Sequence, residues 1–184
     1  MLVGPVLLLV ASGVANAAVF NVTKPDDTND GSCTASTCSL RDAIVAANAS
    51  PGSTVNVPAG LYTLKIPRAS TGDDGTSGDL EISTSVTING AGAGSGPGTT
   101  TINANSATSL DGAFDITYNA STTETITLSG LNVTGGVGHS AILASTSALP
   151  TLNIVGDNIS GNTGESSPGP VRPCASTPAA GARR

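Results

Sequence analysis

Carboxylates are the side chains of this sequence with the most chemical potential. Residues 83–163 contain no Lys or Arg, and the acidic residues there are Asp111, Asp115, Glu124 and Asp157. Hydrolysis of a glycosidic bond needs two carboxylates that converge on that bond. Proton abstraction beside a uronate needs a cationic base, usually with Ca²⁺ to neutralise the acid. The missing cations argue against proton abstraction. The sequence also repeats at a shift of 26 residues, and this shift superposes no two of the four acids.

A second group of carboxylates is denser and could hold a cation. It consists of Asp73, Asp74, Asp79 and Glu81. Calcium is bound in proteins by oxygen ligands of this type. Acidic clusters are more often solvated loops, which is the interpretation that we favour. We therefore expect no cofactor, with Ca²⁺ at this group as the alternative.

Histidine and cysteine are too few to support most of their usual chemistry. His139 is the single histidine, and nothing near it supplies the acid and nucleophile of a triad, so a surface position is predicted. Cys33 and Cys38 are close enough for a local disulfide in an oxidising compartment. Zinc is the weaker interpretation because one His and a distant third cysteine do not complete four ligands. Cys174 is then free or pairs with another molecule.

One predicted helix precedes the rest of the structure. Ser39 is a good N-cap, and Asp42 completes a capping-box pair and places negative charge at the helix N-terminus. Arg41 and Asp42 lie off the apolar stripe of this helix. The stripe has the i, i+3, i+4, i+7 spacing of one helix face and consists of Leu40, Ala43, Ile44 and Ala47.

After Pro51 the apolar residues come in short alternating pairs that indicate β-strands. Setting residues 125–136 against residues 151–162 superposes Ile126 on Leu152, Leu128 on Ile154 and Val133 on Ile159. Strand pairs that repeat at a period of this length are typical of a solenoid, whose coils bury their apolar faces by stacking. We predict an all-β solenoid of about three to four coils, with Leu40 and Ile44 of the helix covering its first coil.

The segment Cys38-Ser-Leu-Arg-Asp-Ala43 resembles the C-S-L-R-E-A motif of bacterial secreted and surface proteins, with Asp42 in place of the usual Glu. The resemblance continues through residues 51–64 and 78–92 and extends over residues 19–164. It implies a right-handed parallel β-helix that is similar in shape to pectate lyases. It implies no catalytic residues, because the activity of these proteins is mostly unassigned.

These patterns divide the sequence into four regions. Residues 1–17 have an apolar core and end in Ala15-Asn-Ala17, which predicts a signal peptide. Residues 18–50 hold a first strand, the disulfide loop and the capping helix, and residues 51–164 hold the coils. Residues 165–184 carry four of the eleven prolines and are expected to be a disordered tail, or the product of a truncated or frame-shifted gene. No membrane-spanning segment is predicted, and we expect a secreted or cell-surface protein.

Composition narrows the range of partners. A net charge of −6 argues against nucleic acid and anionic lipid, which both need clustered cations. Aromatic residues make up 2% of the chain, which suits a thin, turn-rich β structure. We expect a non-catalytic structural or adhesive protein whose polar sheets contact glycans or matrix proteins. A polysaccharide lyase or glycoside hydrolase, or a remnant of one, is the alternative that the fold resemblance suggests.

Overall fold

The computed structural model describes residues 17–69, 74–117, 124–138, 140–144 and 150–163. Within these ranges, no helix has the length and apolar character needed to cross a bilayer. Several predictions concern residues outside the described part, namely Asp73, His139, Cys174, residues 1–16 of the signal peptide and the tail. The elements in chain order are β1 Val19–Asn21, α1 Leu40–Asn48, β2 Ser53–Val57, β3 Gly60–Thr63, β4 Leu80–Ile82, β5 Val86–Gly90, β6 Thr100–Asn103, α2 Ser106–Ser109, β7 Phe114–Ile116, β8 Thr125–Ser129, β9 Leu131–Thr134, β10 Ile142–Ala144, β11 Thr151–Val155 and β12 Asn158–Ile159.

The strands of the described residues form three parallel sheets. Sheet A has the order β1-β2-β5-β8-β11, sheet B has β3-β6-β9-β12, and sheet C has β4-β7-β10. From β2 onward the chain passes through sheets A, B and C in turn and keeps this order to β12. Each return to a sheet therefore adds a strand beside the strand placed one turn earlier. The expected all-β class with parallel strands is confirmed.

The core lies on the inner side of the three sheets, because alternate residues of a strand point to the same face. In sheet A, Val55, Ile88 and Leu128 are in register on neighbouring strands, and each is at most 1% exposed. Sheet B contributes Ile102 and sheet C contributes Phe114, both fully buried. A single apolar cluster joins these side chains with those of α1. Strands this short bury little surface alone, so they depend on pairing and on this shared cluster for stability.

Helix α1 lies at the N-terminal end of this core. Ser39 is its N-cap, and Asp42 N donates to Ser39 Oγ at 3.0 Å while Ser39 N donates to Asp42 Oδ2 at 3.4 Å. Leu40 and Ile44 are 3% and 2% exposed. The helix packs against β1, β2 and β4. It therefore covers the apolar side chains at the start of sheets A and C.

Two residues of α1 lie in a different environment from the one expected for positions off the apolar stripe. Arg41 and Asp42 are both buried. The segment before the helix folds over them, because Asp30 N donates to Asp42 Oδ1 at 2.8 Å and Asp27 pairs with Arg41. The carbonyl oxygens of Gly75, Gly78 and Asp79 also accept hydrogen bonds from Arg41. The helix is thus enclosed by polar segments as well as by the core.

Candidate functional site

The outer face of sheet A carries two rows of uncharged polar side chains. The first row crosses β2, β5, β8 and β11 and consists of Thr54, Thr87, Thr127 and Asn153. The second row crosses β1, β2, β5 and β8 and consists of Asn21, Asn56, Asn89 and Ser129. These eight residues are named the polar face. Within each row, successive side chains are in register on neighbouring strands.

The spacing of the polar face follows from the geometry of a parallel sheet. Neighbouring strands lie about 4.8 Å apart, and residues two positions apart on one strand are separated by roughly 6.6 Å. The residues between the two rows point inward and are buried, as Val55 is between Thr54 and Asn56. Because the core holds these inward residues, the polar face is a regular array of hydroxyl and amide groups on a fixed backbone.

Several side chains of the polar face have hydrogen-bonding groups to spare. Asn56 Nδ2 donates to Asn21 Oδ1 at 2.9 Å, and Asn153 Nδ2 donates to Thr127 Oγ1 at 3.3 Å. Within the described part of the chain, no side-chain hydrogen bond is formed by Thr54, Thr87, Asn89 and Ser129. Hydroxyl and amide groups supply both donors and acceptors without charge. Such a surface is suited to a neutral ligand that is rich in hydroxyl groups.

Sheet C places two carboxylates side by side. Glu81 on β4 is in register with Asp115 on β7, and both are half-buried. Thr117 Oγ1 donates a hydrogen bond to Glu81 Oε1. The internal repeat does not reveal this pair, because the paired residues of β4 and β7 are farther apart in sequence than one repeat. The signal in the sequence is a matching pair of apolar-acid-apolar triplets, Leu80-Glu81-Ile82 and Phe114-Asp115-Ile116.

Two further acids lie close in sequence to the strands of this pair. Asp79 is 3% exposed and Asp111 is 8% exposed. Asp111 Oδ2 lies 3.8 Å from Arg68 Nε. The predicted solvated acidic loop is therefore wrong for Asp79, although Asp74 is exposed. The carbonyl oxygen of Asp79 accepts a hydrogen bond from the buried Arg41 at 2.8 Å.

The same acidic group is the one for which the sequence leaves calcium binding as an alternative. In the ranges that the structure describes, no three or more His, Cys, Asp or Glu side chains form a group that could hold a metal ion. Asp74 instead accepts hydrogen bonds from the hydroxyl and the backbone N–H of Thr76. These bonds hold the pKa of Asp74 below its usual value. Asp74 thus caps a local turn.

The remaining two candidate acids bind backbone N–H groups. Glu124 Oε2 accepts from Ser85 N at 2.7 Å. Asp157 accepts from Leu131 N at 2.6 Å and from Val155 N at 3.2 Å. Burial raises the pKa of Asp157 above its usual value, although these hydrogen bonds oppose the shift. Both acids join neighbouring turns of the chain, which is a structural role.

The segment before α1 contains the Cys33–Cys38 disulfide. The two Cα atoms are 4.2 Å apart, and Cys38 is fully buried. Thr23 Oγ1 accepts a hydrogen bond from Cys38 N at 3.0 Å. The disulfide loop is thereby attached to the segment that follows β1.

Arg41 is held by a buried cluster that the sequence pattern did not reveal. Its Nε and Nη2 atoms donate to the carboxylate of Asp27 at 2.8 Å and 3.2 Å. Its remaining hydrogen bonds, at 2.8 to 3.0 Å, go to the carbonyl oxygens of Gly75, Gly78 and Asp79. A guanidinium has five N–H donors, and these five bonds use them all. The cluster is therefore a structural device that offers no donor to a ligand.

Comparisons of the chain with protein-family models, with curated proteins and with solved structures find no match. Two arrangements remain from which a function can be inferred. Each row of the polar face crosses four of the five strands of sheet A and ends beside an exposed valine on the fifth, Val19 or Val155. The pair formed by Glu81 and Asp115 spans two strands of sheet C. The polar face is thus the more extensive candidate site.

Proposed function

We propose that this protein is a right-handed parallel β-helix that binds neutral glycans, without catalysis, through the polar face. The observation that carries the proposal is the register of the two polar rows across sheet A. The protein works outside the cell, either secreted or at the cell surface. Matrix proteins that carry such glycans are partners of the same kind.

The fold proposal is supported by the order in which the chain visits the sheets. Three sheets that are entered in constant rotation, with every pairing parallel, are expected when a chain winds around one core. Crossover connections between parallel strands of one sheet are right-handed in about 98% of cases. The resemblance of Cys38 to Ala43 to the C-S-L-R-E-A motif implies the same fold, with α1 closing the first turn.

The proposed location is supported by two features near the N-terminus. Ala15-Asn-Ala17 has the pattern of a signal-peptide cleavage site. Disulfides such as Cys33–Cys38 persist in oxidising compartments and are rare in the cytosol. Together these features favour export of the protein.

The choice of a neutral glycan is supported by the chemistry of the polar face. The face has hydroxyl and amide groups at regular spacing and no charged side chain, whereas the whole chain has a net charge of −6. A polyuronate would be repelled by that charge, but a neutral glycan would not. A single hydrogen bond contributes little to binding in water. A repeating ligand can engage several positions of the rows at once, which raises its overall affinity.

The proposal is tested with an array that displays neutral glycans beside uronate-containing glycans. We expect the full chain to bind extended neutral glycans. Replacing Thr87 and Thr127 by Val removes two hydroxyls and keeps the branched shape of the side chains. Since a net hydrogen bond contributes about 1 kcal/mol, this double variant should bind roughly tenfold or more weakly.

A matched control is offered by sheet B. Thr63 is half-exposed on β3, and Thr63→Val makes the same chemical change away from the polar face. We expect this variant to bind as the unmodified protein does. Absence of binding to every neutral glycan, or an equal loss in the Thr63 variant, would contradict the proposal.

A second candidate function is favoured by the register of Glu81 and Asp115. In retaining glycosidases the two carboxyl groups are about 5 to 5.5 Å apart, which is close to the spacing of roughly 4.8 Å between neighbouring strands. The alternative is therefore a glycoside hydrolase in which these two side chains act as acid and nucleophile. It has a narrower basis than the polar face, because it rests on a single pair of side chains.

The hydrolase alternative is separated from binding by an assay for released reducing sugar on the glycans that the protein binds. If turnover is present and both Glu81→Gln and Asp115→Asn abolish it, hydrolysis replaces glycan binding as the function. If the glycans are bound and remain intact, the non-catalytic proposal stands.

A further inference from the structure

The last turn of the chain exposes apolar side chains at positions that are buried in earlier turns. Ile154 is in register with Leu128, and Ile159 is in register with Val133. Leu128 and Val133 are each 1% exposed, whereas Ile154 is 46% and Ile159 is 41% exposed. Together with β10, these strands line an open cavity of about 460 Å³. Among the described residues, the core is therefore uncovered at this end.

The backbone at the same end is also available for pairing. The strands β10, β11 and β12 are the outermost strands of sheets C, A and B, and each pairs with one neighbour. In the described part of the chain, their outer edges thus carry main-chain N–H and C=O groups without a strand partner. Edges of this kind are templates for pairing with another chain.

The sequence after β12 is poorly suited to cover this surface. Residues 164–184 contain four prolines, which cannot donate to a strand ladder. They contain no Leu, Ile, Phe or Met, and Val171 is their largest aliphatic residue. The segment therefore lacks the alternating apolar side chains of another coil.

The two ends of the molecule are not complementary to each other. At the N-terminal end, α1 covers the core through Leu40 and Ile44. A head-to-tail contact between two copies would place exposed apolar strands against this covered end. A tail-to-tail contact places the two exposed surfaces against each other. The second arrangement is closed, because each copy has one such surface.

We infer that two copies of this chain dock tail to tail through β10, β11 and β12 to form a closed dimer. A two-fold axis that crosses the middle of sheet A places β11 antiparallel to its own copy. The same axis exchanges sheets B and C, so that β12 faces β10 of the other copy. Ile142, Leu152, Ile154 and Ile159 of both copies then form one continuous core. This inference does not depend on the glycan contacts proposed for the polar face.

The charge at this end is compatible with pairing of identical surfaces. Residues 140–144 and 150–163 contain a single charged side chain, Asp157. Its carboxylate is bound by the backbone N–H groups of Leu131 and Val155. Two such ends therefore approach with little repulsion between their side chains. The uncharged edge also lacks the Lys residues with which many proteins block edge pairing.

The inference is tested by measuring the mass of the full chain with light scattering and analytical ultracentrifugation over a range of concentrations. We expect a species with twice the monomer mass. Ile154→Lys places a charge in the centre of the interface, and it should weaken dimerisation at least about thirtyfold, as at an interface hot spot. Because Ile154 is exposed in the single chain, the melting temperature of the monomer should change little.

Leu61→Lys is the matched control. Leu61 is 57% exposed on β3, in the first turn of the chain, so the substitution adds the same charge far from the docking surface. We expect this variant to remain dimeric. A monomeric unmodified chain would overturn the inference, as would a mass that grows beyond the dimer or an equal effect of the two substitutions. A monomer whose β11 amides resist hydrogen exchange would overturn it in favour of coverage by residues 164–184.

Discussion

Arg41 is a charged residue that the fold keeps almost entirely from water. Its guanidinium is bonded by Asp27 and by three carbonyl groups of the segment before β4. An ion that is buried without partners is destabilising by several kcal/mol. Here every donor is satisfied, so the side chain joins the N-terminal segment, α1 and the segment before β4. The burial of Arg41 therefore has a structural explanation in this chain.

We expect Arg41→Met to lower the free energy of unfolding by about 3 to 5 kcal/mol, because it leaves the Asp27 carboxylate buried without its cation. Denaturation in urea measures the change. Lys24→Met is the control, since Lys24 pairs with Asp30 at the surface and its loss should have little effect. Similar destabilisation by both substitutions would show that burial of Arg41 is not what matters.

Asp27 should make the stability of the fold sensitive to acid. Burial raises the pKa of Asp27, but hydrogen bonds from Arg41 and from the backbone N–H groups of Lys65 and Ile66 outweigh it and hold the pKa below its usual value. A carboxyl group with a lowered folded-state pKa stabilises the fold above its unfolded pKa of about 3.9. That contribution is lost as the pH falls through the lower, folded pKa. The free energy of unfolding should therefore decrease below about pH 4.

Asp27→Asn provides the comparison for this pH dependence. The variant should be less stable at neutral pH, and its stability should fall less steeply in acid. Asp157, whose pKa is raised by burial, contributes in the opposite direction and is present in both proteins. Urea denaturation at several pH values measures both curves. If the free energy of unfolding falls equally steeply with pH in the two proteins, Asp27 is not the source of the acid sensitivity.

At the scale of the elements, α1 shows how much the sequence predicts and where it fails. Ser39, Asp42, Leu40 and Ile44 follow local rules of capping and periodicity, and the structure places them accordingly. The ion pair between Asp27 and Arg41 is not predictable in this way, because the two residues are 14 positions apart and lie in different segments. No local pattern encodes that contact. Helical periodicity considers only residues of the helix itself, so it assigns Arg41 to the polar side of α1.

The pairing of strands is predictable only where the connections between them have similar lengths. The pairing of Ile126 with Leu152 follows from the internal repeat, and the structure contains it. The rows of the polar face are not predictable by position, because fewer residues separate Thr54 from Thr87 than separate Thr87 from Thr127. Loops of unequal length break the period without changing the register of the strands.

Ile44→Ala tests whether α1 is part of the core. The substitution leaves a cavity against a residue that is 2% exposed, and it should lower the free energy of unfolding by about 2 to 5 kcal/mol. Val45→Ala removes a similar side chain from the half-exposed side of the same helix and should have a clearly smaller effect. Thermal unfolding followed by circular dichroism compares the two. Equal melting temperatures would mean that α1 does not seal the core.

At the scale of the whole molecule, the backbone at the end of β5 lies very close to the backbone between β8 and β9. A Cβ atom added to Gly90 would lie 2.3 Å from Gly130 O and 2.6 Å from Leu131 Cδ2. The nearest of these atoms belongs to the backbone of the next turn, so it cannot rotate away. Glycine is therefore required at Gly90 by contact between turns.

We expect Gly90→Ala to destabilise the protein by about 1 to 3 kcal/mol or more, as overpacking does. Gly98→Ala is the control, because nothing lies within 4 Å of a Cβ atom added there. Its effect should remain within about 0.5 kcal/mol. Melting temperatures measure both changes. A Gly90 variant as stable as the control would indicate that the turns can separate at this point.

The position of α1 at one end of the molecule has a consequence for biosynthesis. Helix α1 and β1 leave the ribosome before every other described helix and strand, and every strand from β5 onward pairs with a strand that was made earlier. A growing polypeptide can therefore assemble in the direction of translation, each new segment settling on a finished template. From β5 onward, no described strand has to wait, exposed to proteases, for a partner that has yet to be synthesised.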